Sequence, residues 1–434
     1  MPELAPVTTA IGRWSEVCAV APVLVSGLMG PPYDQVATRP SRHRTTPRPC
    51  VHAHCYIRPM RGGVIPAALQ LTSTPAAAVL HAIRIGGPVT RDQLASTTGL
   101  SAATINRQVH ALAAHGLVAE RPDLAGPKTI GRPKNPLTID RDSLCVAGLH
   151  IGARRSVLVI ADLGGRTLHS HAVLTPSGDQ QEAIEQLCAR LAELAGRFGG
   201  RRLLWGGVAL GGAVDAETGV VDHRVLGWHQ LPVGETLAAR LDTPVSVCEH
   251  VEAMAAAELL LAGSRDASGT GLFFYARETA GMAMTLEGRV HVPERGAGTI
   301  AHLPVSAPVL APGHTRVRLQ NVIGDDAAQA AAHRLGIDPD SSRIVDERAR
   351  VLGEAVAMIR DVINPDTIVV AGDAFSAHPH GLAPVQAAFD EASTLDRPLE
   401  IAPSRFGVHV QESAAVVVAL SVIYADPIAA VATL

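Results

Sequence analysis

Two patterns follow one another along the 434 residues, and together they predict an α/β body preceded by a small, mostly α winged helix-turn-helix. The first begins at Thr74, where three short helical repeats lead into an apolar strand at Gly116–Val118 and the stretch "GPKTIGRPK" at 126–134. The second begins at Ser143, where β-branched strands come in a triplet followed by alternating helices and strands, and the arrangement recurs after Gly271. Such alternation, in two halves, is the mark of a central mixed sheet. Charge separates the two patterns. From Gln35 to Lys134 there are thirteen Arg or Lys against three acids, a balance of +10 on a chain whose net charge is −4, so the rest carries −14. A basic front on an acidic body fits a minority of the chain meeting a polyanion.

The elements of the front follow from local chemistry. "TPAAAVLHAIRIGG" places Val79, Leu80 and Ile83 at helical spacing and stops at Gly86-Gly87. Two helices joined at Gly99 come next. Thr90 and Gln93 form a capping box for the first, and Ser101 caps the second. In that second helix Ile105, Val109 and Leu112 share one face, while Ala103, Asn106, Arg107 and His110 point away from it. This is the helix expected to enter a major groove. Arg107, Asn106 and Gln108 carry donors suited to base edges, and Ser101 and Thr104 sit where phosphate oxygens are favoured. The only two lysines of the chain, Lys128 and Lys134, flank Arg132 among glycines and prolines. That composition suits a tight ribbon tip laying cations along the DNA backbone or into the minor groove. The expected DNA contacts are therefore Thr90, Ser101, Ala103, Thr104, Asn106, Arg107, Gln108, Lys128, Arg132 and Lys134.

The body reads as a three-strand meander over 143–175, then a helix at Glu182–Arg197, a strand at Leu203–Leu210, a helix at Val233–Leu241, a strand at Pro244–Cys248 and a helix at Val251–Ala262. A strand pair follows at Gly271–Tyr275 and Met282–Leu286, then a helix over Asp346–Val362, the strand "TIVVAG" and a terminal helix from Ser413. The domains expected are an extension over 1–70, disordered or translated from a start set too far upstream, a winged domain over 71–140 and the body over 141–434.

Composition narrows the class. With 47% apolar and 18% charged residues the chain has ample material for a core. Six scattered cysteines form no disulfide framework, which points to a reducing compartment, the cytoplasm. The cluster "CVHAHC" at 50–55 lacks the two separated ligand pairs of a structural zinc site. The apolar run Val17–Gly30 is interrupted by Pro22 and Gly27, too short to span a bilayer, and lacks a basic leader, so neither membrane nor signal function is expected.

Several passages of the body resemble the ROK family of sugar kinases and transcriptional repressors: "LHIGARRSVLVIADLGGRTL", "GVALGGAVDAETGVVDHRVLGWHQLPVGETLAARLDTPVSVCEHVEAMAAAE", "GAGTIAHLPV" and "INPDTIVVAGD". The resemblance covers Ser143 to Gly372 and implies a two-lobed, actin-like ATPase (ribonuclease H-like) fold; with the winged front it is similar to the repressor branch. The departures carry as much information. Family kinases open with an Asp followed by Gly-Gly-Thr, where this chain has His150, Gly152, Ala153 and Arg154. Their second phosphate loop is rich in Gly and Thr, against "RETAGMA" here, and their Asn-Asp pair aligns with Glu249-His250. Side chains at these places block the backbone cradle a phosphate needs. The family's Glu-x-Gly-His sugar contact keeps only His302, and the zinc-binding cysteines that follow it are missing. The resemblance thus implies no phosphoryl transfer, no catalytic residues, no metal and no cofactor. What it leaves in the cleft is Glu249, His250, Glu252 and His302 with Trp228 nearby, a set able to hold a sugar, phosphosugar or other small polar effector. The partners expected are a double-stranded DNA operator and a second copy of the chain. The competing expectation is an ATP-dependent, glucokinase-like sugar kinase with an accessory basic domain.

Overall fold

In the computed structural model, which describes residues 63–71, 74–125, 135–262, 268–293 and 298–432, the front folds as three helices and a ribbon. Helix α1 (Pro75–Gly86) starts at Thr74, whose hydroxyl accepts from Ala77 N at 3.3 Å, with proline in the first turn where its missing N–H is harmless. Helix α2 (Arg91–Thr98) carries the capping box of Thr90 and Gln93 in full. It stops at Gly99, whose φ of 68° is left-handed and gives the tight turn into α3 (Ala102–Ala114). Ile105, Val109 and Leu112 of α3 bury against Val79, Leu80, Ile83 and Leu94, so one apolar cluster joins all three helices. Strand β1 (Val118–Glu120) pairs antiparallel with β2 (Leu137–Ile139), and Val89 bridges to Leu137 as a third short rung.

The body holds two five-stranded mixed sheets of the same design. In the first, β3 (Leu144–Ile151), β4 (Arg155–Asp162) and β5 (Thr167–Leu174) form the meander. Helix α4 (Gln180–Gly196) then leads to β6 (Arg202–Leu210). After a small sheet of β7 (Ala213–Val214), β8 (Val220–His223) and β9 (Trp228–Pro232), helix α5 (Val233–Leu241) leads to β10 (Val245–Glu249). The order is β10-β6-β3-β4-β5, with β3, β6 and β10 parallel. Helix α6 (His250–Leu260) then crosses to the second half.

There β11 (Thr270–Ala276), β12 (Ala280–Leu286) and β13 (Arg289–Val290) form the second meander, followed by the short pair β14 (Pro304–Val305) and β15 (Val317–Arg318). Helices α7 (Gln320–Ile323), α8 (Asp325–Leu335) and α9 (Ser342–Ile363) precede β16 (Thr367–Ala371). Then come α10 (Asp373–Ser376), α11 (Ala383–Ala392), β17 (Ile401–Pro403), α12 (Val410–Ala425) and α13 (Pro427–Ala432). The order β13-β12-β11-β16-β17 repeats the first sheet's plan.

Side-chain alternation explains the layering. On β3, Cys145, Ala147, Leu149 and Ile151 face α4, while Leu144 and Val146 face α12. On β11, Leu272 and Phe274 face α9, while Phe273 and Tyr275 face α6 and α12. Two helices therefore lie between the sheets, and both are apolar nearly all round. The run Gly407–Ala425, 19 residues of mean hydropathy 1.5, is long and apolar enough to cross a membrane; here it is the helix buried between the two sheets. Its fit against the first sheet needs glycine. A Cβ on Gly207 would stand 2.4 Å from Ala419 N, and one on Gly148 would stand 2.9 Å from Ala415 Cβ.

Residues 63–70 correct the expectation of an extension reaching residue 70. Val64 pairs with Val245 on one edge of the first sheet, and Gln70 pairs with Arg289 on one edge of the second. Ile65 N donates to Val245 O at 2.8 Å, Leu71 N to Gly288 O at 2.8 Å, and Leu69 is buried. The free backbone groups of two edge strands supply what this irregular segment lacks on its own. Residues 1–62, including the cluster at 50–55, lie outside the described residues.

Because the contact at Gly207 is with helix backbone, Gly207→Val cannot be relieved by a rotamer change. We expect a loss of about 1–3 kcal/mol, read as a lower urea midpoint at unchanged m-value.

Candidate functional site

The first candidate site is the outward face of α3. Ser101 Oγ accepts from Thr104 N at 3.2 Å and lies 3.0 Å from Thr104 Oγ1, which fixes the helix start. Beyond it Ala103, Asn106 and Arg107 are exposed and Gln108 is half-buried, because Ile105 and Val109 anchor the opposite face. Among the described residues neither Asn106 nor Arg107 makes a hydrogen bond or ion pair, so their donors face outward uncommitted. Other cations nearby are engaged: Arg91 pairs with Glu120 at 2.5 Å, and Arg121 makes a two-pronged contact with Asp123 at 2.6 and 2.8 Å. Thr90 has its hydroxyl in the capping box, 3.4 Å from Gln93 N. Lys128, Arg132 and Lys134, expected at the tip between β1 and β2, lie outside the described residues.

The second candidate site is in the body, where β3, β10, α6 and β11 converge. Glu249 ends β10 and caps α6, its Oε2 accepting from Val251 N at 2.7 Å and Glu252 N at 3.0 Å. His250, the first residue of α6, stacks on His150 at the end of β3, with ring centroids 5.6 Å apart and planes 13° apart. Tyr275 of β11 meets the His250 ring edge-on at 5.5 Å. Both nitrogens of His150 and Nδ1 of His250 are buried with no hydrogen-bond partner among the described residues. Burial holds both imidazoles neutral, His150 well below its ordinary range and His250 down to about 4. Burial works the other way on the carboxyls, raising Glu249 to about 7 against the pull of three backbone amides, and Glu252 to about 8 with help from Glu249. A neutral, polar, under-bonded interior results. Beside it, Cys248 is buried with its thiol pushed well up, which leaves it inert as a nucleophile.

The cavity at Glu249 and Glu252 has a volume of about 60 Å³ and is closed on one side by Ala67 and Leu69, room for a few waters. A larger cavity of about 510 Å³ opens beyond the β3–β4 turn, and most of its lining charges are paired. Arg154 pairs with Asp326, Arg277 with Asp373 at 3.0 Å, and Arg348 with Asp325 at 3.1 Å. The Arg154–Asp326 pair ties the turn between β3 and β4 to the start of α8.

Of the expected effector residues, Glu249, His250 and Glu252 come together. Trp228 does not join them as a ligand-stacking face, which is a correction. It is 4% exposed, packed in the core of the first half with His223 against it edge-on at 6.4 Å, because Trp228 and Leu231 are the inward positions of β9. His302 is exposed on the second half. His150 and Tyr275 belong to the site without having been expected there. In the sequence His150 reads only as a departure from the pattern that the family resemblance implies; its stacking on His250 emerges only in the structure.

Comparison with known proteins bears on both sites. Residues 146–315 match the ROK family model and residues 69–125 the MarR family model. A transcriptional regulator of Mycobacterium tuberculosis is 45% identical over 396 residues, covering 85% of this chain and 90% of that protein. The chain belongs to the ROK family. The DNA-binding transcriptional dual regulator NagC of Escherichia coli is 24% identical over 343 residues, covering 72% of this ROK chain and 82% of NagC. The crystal structure of a ROK family transcriptional regulator, a homologue of the E. coli MLC protein, matches at a TM-score of 0.66 and 19% identity over 83% of this chain and 99% of that one. A ROK hexokinase from Thermus thermophilus matches at 0.51 and 24% identity over 64% and 98%. The body thus has the actin-like sugar-kinase fold, and the larger coverage by the regulator includes the winged front.

The buried groups set opposite pH trends. Unfolded, Glu252 releases its proton near 4.5, whereas in the fold it holds it up to about 8. Stability from this group therefore falls as pH rises through that interval. Glu252→Gln should show a melting temperature that gains on the parent's progressively from pH 4.5 to 8. The histidines act in the other sense, losing stability as pH drops from 6.5 toward 4.

Proposed function

We propose that this ROK chain is a DNA-binding transcriptional regulator, a repressor, that reads its operator with α3 and answers to a small polar effector in the body. The observation that carries the reading is the exposed face of α3, where Asn106 and Arg107 have no partners among the described residues, on a ribbon-flanked helix of the kind that enters a major groove. The regulators among its relatives support it, one of them named an N-acetylglucosamine repressor in E. coli O6:H1. Lys128, Arg132 and Lys134 add sequence-independent phosphate contacts. Two copies pair through the body so that two winged modules meet two half-sites, the arrangement that a palindromic operator requires. The protein acts in the cytoplasm, on the nucleoid.

The effector's polar atoms meet the unpartnered nitrogens of His150 and His250 and the carboxyls of Glu249 and Glu252. Leaving those nitrogens buried and unbonded is costly, so a ligand with hydroxyl groups gains there. The cavity at Glu249 and Glu252, about 60 Å³, is too small for an intact hexose and does not reach the imidazoles, so a sugar or phosphosugar that meets both needs the two halves to separate, which is how occupancy acts on operator affinity.

Phosphoryl transfer is disfavoured on the same geometry. The place of the family's phosphate loop is crossed by Arg154–Asp326, and the acids Asp325, Asp326 and Asp373 line the neighbouring cavity. An incoming triphosphate would meet carboxylates and cations already paired.

Arg107→Ala should flatten base preference, costing about 1–3 kcal/mol on the preferred operator alone. Lys128→Ala should weaken all duplexes equally and make binding less salt-dependent. Both are read by titrating labelled operator and scrambled duplex at two salt concentrations. ATP consumption with a hexose and Mg²⁺, together with no duplex binding at low salt, would overturn the proposal.

A further inference from the structure

Between the winged module and the body lies a cavity of about 730 Å³, within the size range of small-molecule sites. One wall is α1, where Ala78, His81, Ala82 and Ile85 recur at the spacing of a single helical face. The other walls come from α2 and from Leu260 and Tyr424 of the body, so both parts of the molecule contribute.

At its inner end stands Arg84, only 9% exposed. Its guanidinium donates to Leu260 O, to Leu261 O at 3.2 Å and to His81 Nδ1 at 3.4 Å, and lies 4.9 Å over the Tyr424 ring. Leu260 and Leu261 are the carboxyl end of α6, so Arg84 caps that helix. Capping explains where the side chain sits but, among the described residues, leaves its charge unbalanced. A helix carboxyl end counts for about half a negative charge, against a whole positive one on the guanidinium. No carboxylate pairs with Arg84 among the described residues. Burial, then the neighbouring Arg84, keeps His81 neutral, so it adds no second cation.

One under-compensated cation at the end of an aliphatic wall is the complement of an amphipathic anion. We propose that this cavity binds an alkyl carboxylate of medium chain length, with its head on Arg84 and its chain along the Ala78, Ala82 and Ile85 stripe of α1. Such a ligand touches the module and the body together, and its binding is separate from any effector of the interlobe site.

The test is calorimetric titration of the full chain, without DNA, with decanoate and with decan-1-ol as the uncharged control. Decanoate should bind saturably at one per chain, with decanol at least about tenfold weaker, a difference of about 1.4 kcal/mol. Arg84→Gln should abolish that preference. Should Arg84→Gln disturb the joint, Ile85→Glu is the second variant: the position is exposed, so the fold is kept; both ligands lose an apolar contact there, and the added acid should weaken decanoate by clearly more than decanol. No saturable decanoate binding, equal binding of decanol, or decanoate affinity unchanged in Ile85→Glu would each overturn the proposal. Because no duplex is present, its failure is distinguishable from failure of the operator reading.

Discussion

The contact on which the rest of the body depends is the seating of α12 on the bare backbone of Gly148 and Gly207. Strands β3 and β6 give up side chains at these two points so that a helix can come within backbone contact, and α6 then packs between α12 and the second sheet. Helix approach this close leaves no slack for water, and interiors packed at such density transmit displacement rather than absorb it. The residues of the interlobe site hang from these elements: His150 ends β3, His250 begins α6, and Tyr275 stands on β11 facing the same layer. Their mutual geometry is a consequence of the helix layer.

The chemistry of that interior is set by burial. Phosphoryl transfer calls for carboxylates to hold metal and open backbone amides to hold phosphate. Here imidazoles kept neutral by burial stack on each other, beside two carboxyls that burial raises to about 7 and about 8. The charged groups have moved outward, into the pairs Arg154–Asp326 and Arg277–Asp373 that bridge the adjoining cavity.

Much of the fold was legible because its signals are local. The capping box at Thr90, the glycine stop at 99 and the Ile105, Val109, Leu112 stripe each lie within a few residues and fix α2 and α3 directly. The meander after Ser143 was equally plain, since strand triplets with glycine turns need no distant partner to be recognised. Strands β13 and β17, two and three residues long, carry too little pattern to be read. The pairing of 63–71 escaped for another reason: Pro66 breaks any alternation, and its partners near 245 and 289 are far away in the chain. In the site, Glu249 and Glu252 were readable from the helix start that Glu249 caps, whereas Trp228 was misplaced because an aromatic beside a glycine looks the same in a cleft and in a core.

The strand-like stretch before α1 is sewn to both sheets, to Val245 on one side and to Gly288 and Val290 on the other, and then runs on into Thr74 at the head of the winged module. An extended chain reaches at most about 3.6 Å per residue, so a span of this size has almost no play. It behaves as a drawstring threaded through both halves: they cannot part far before one stitch comes undone, and the last stitch, at Leu71, stands just ahead of Thr74 and the first helix of the winged module.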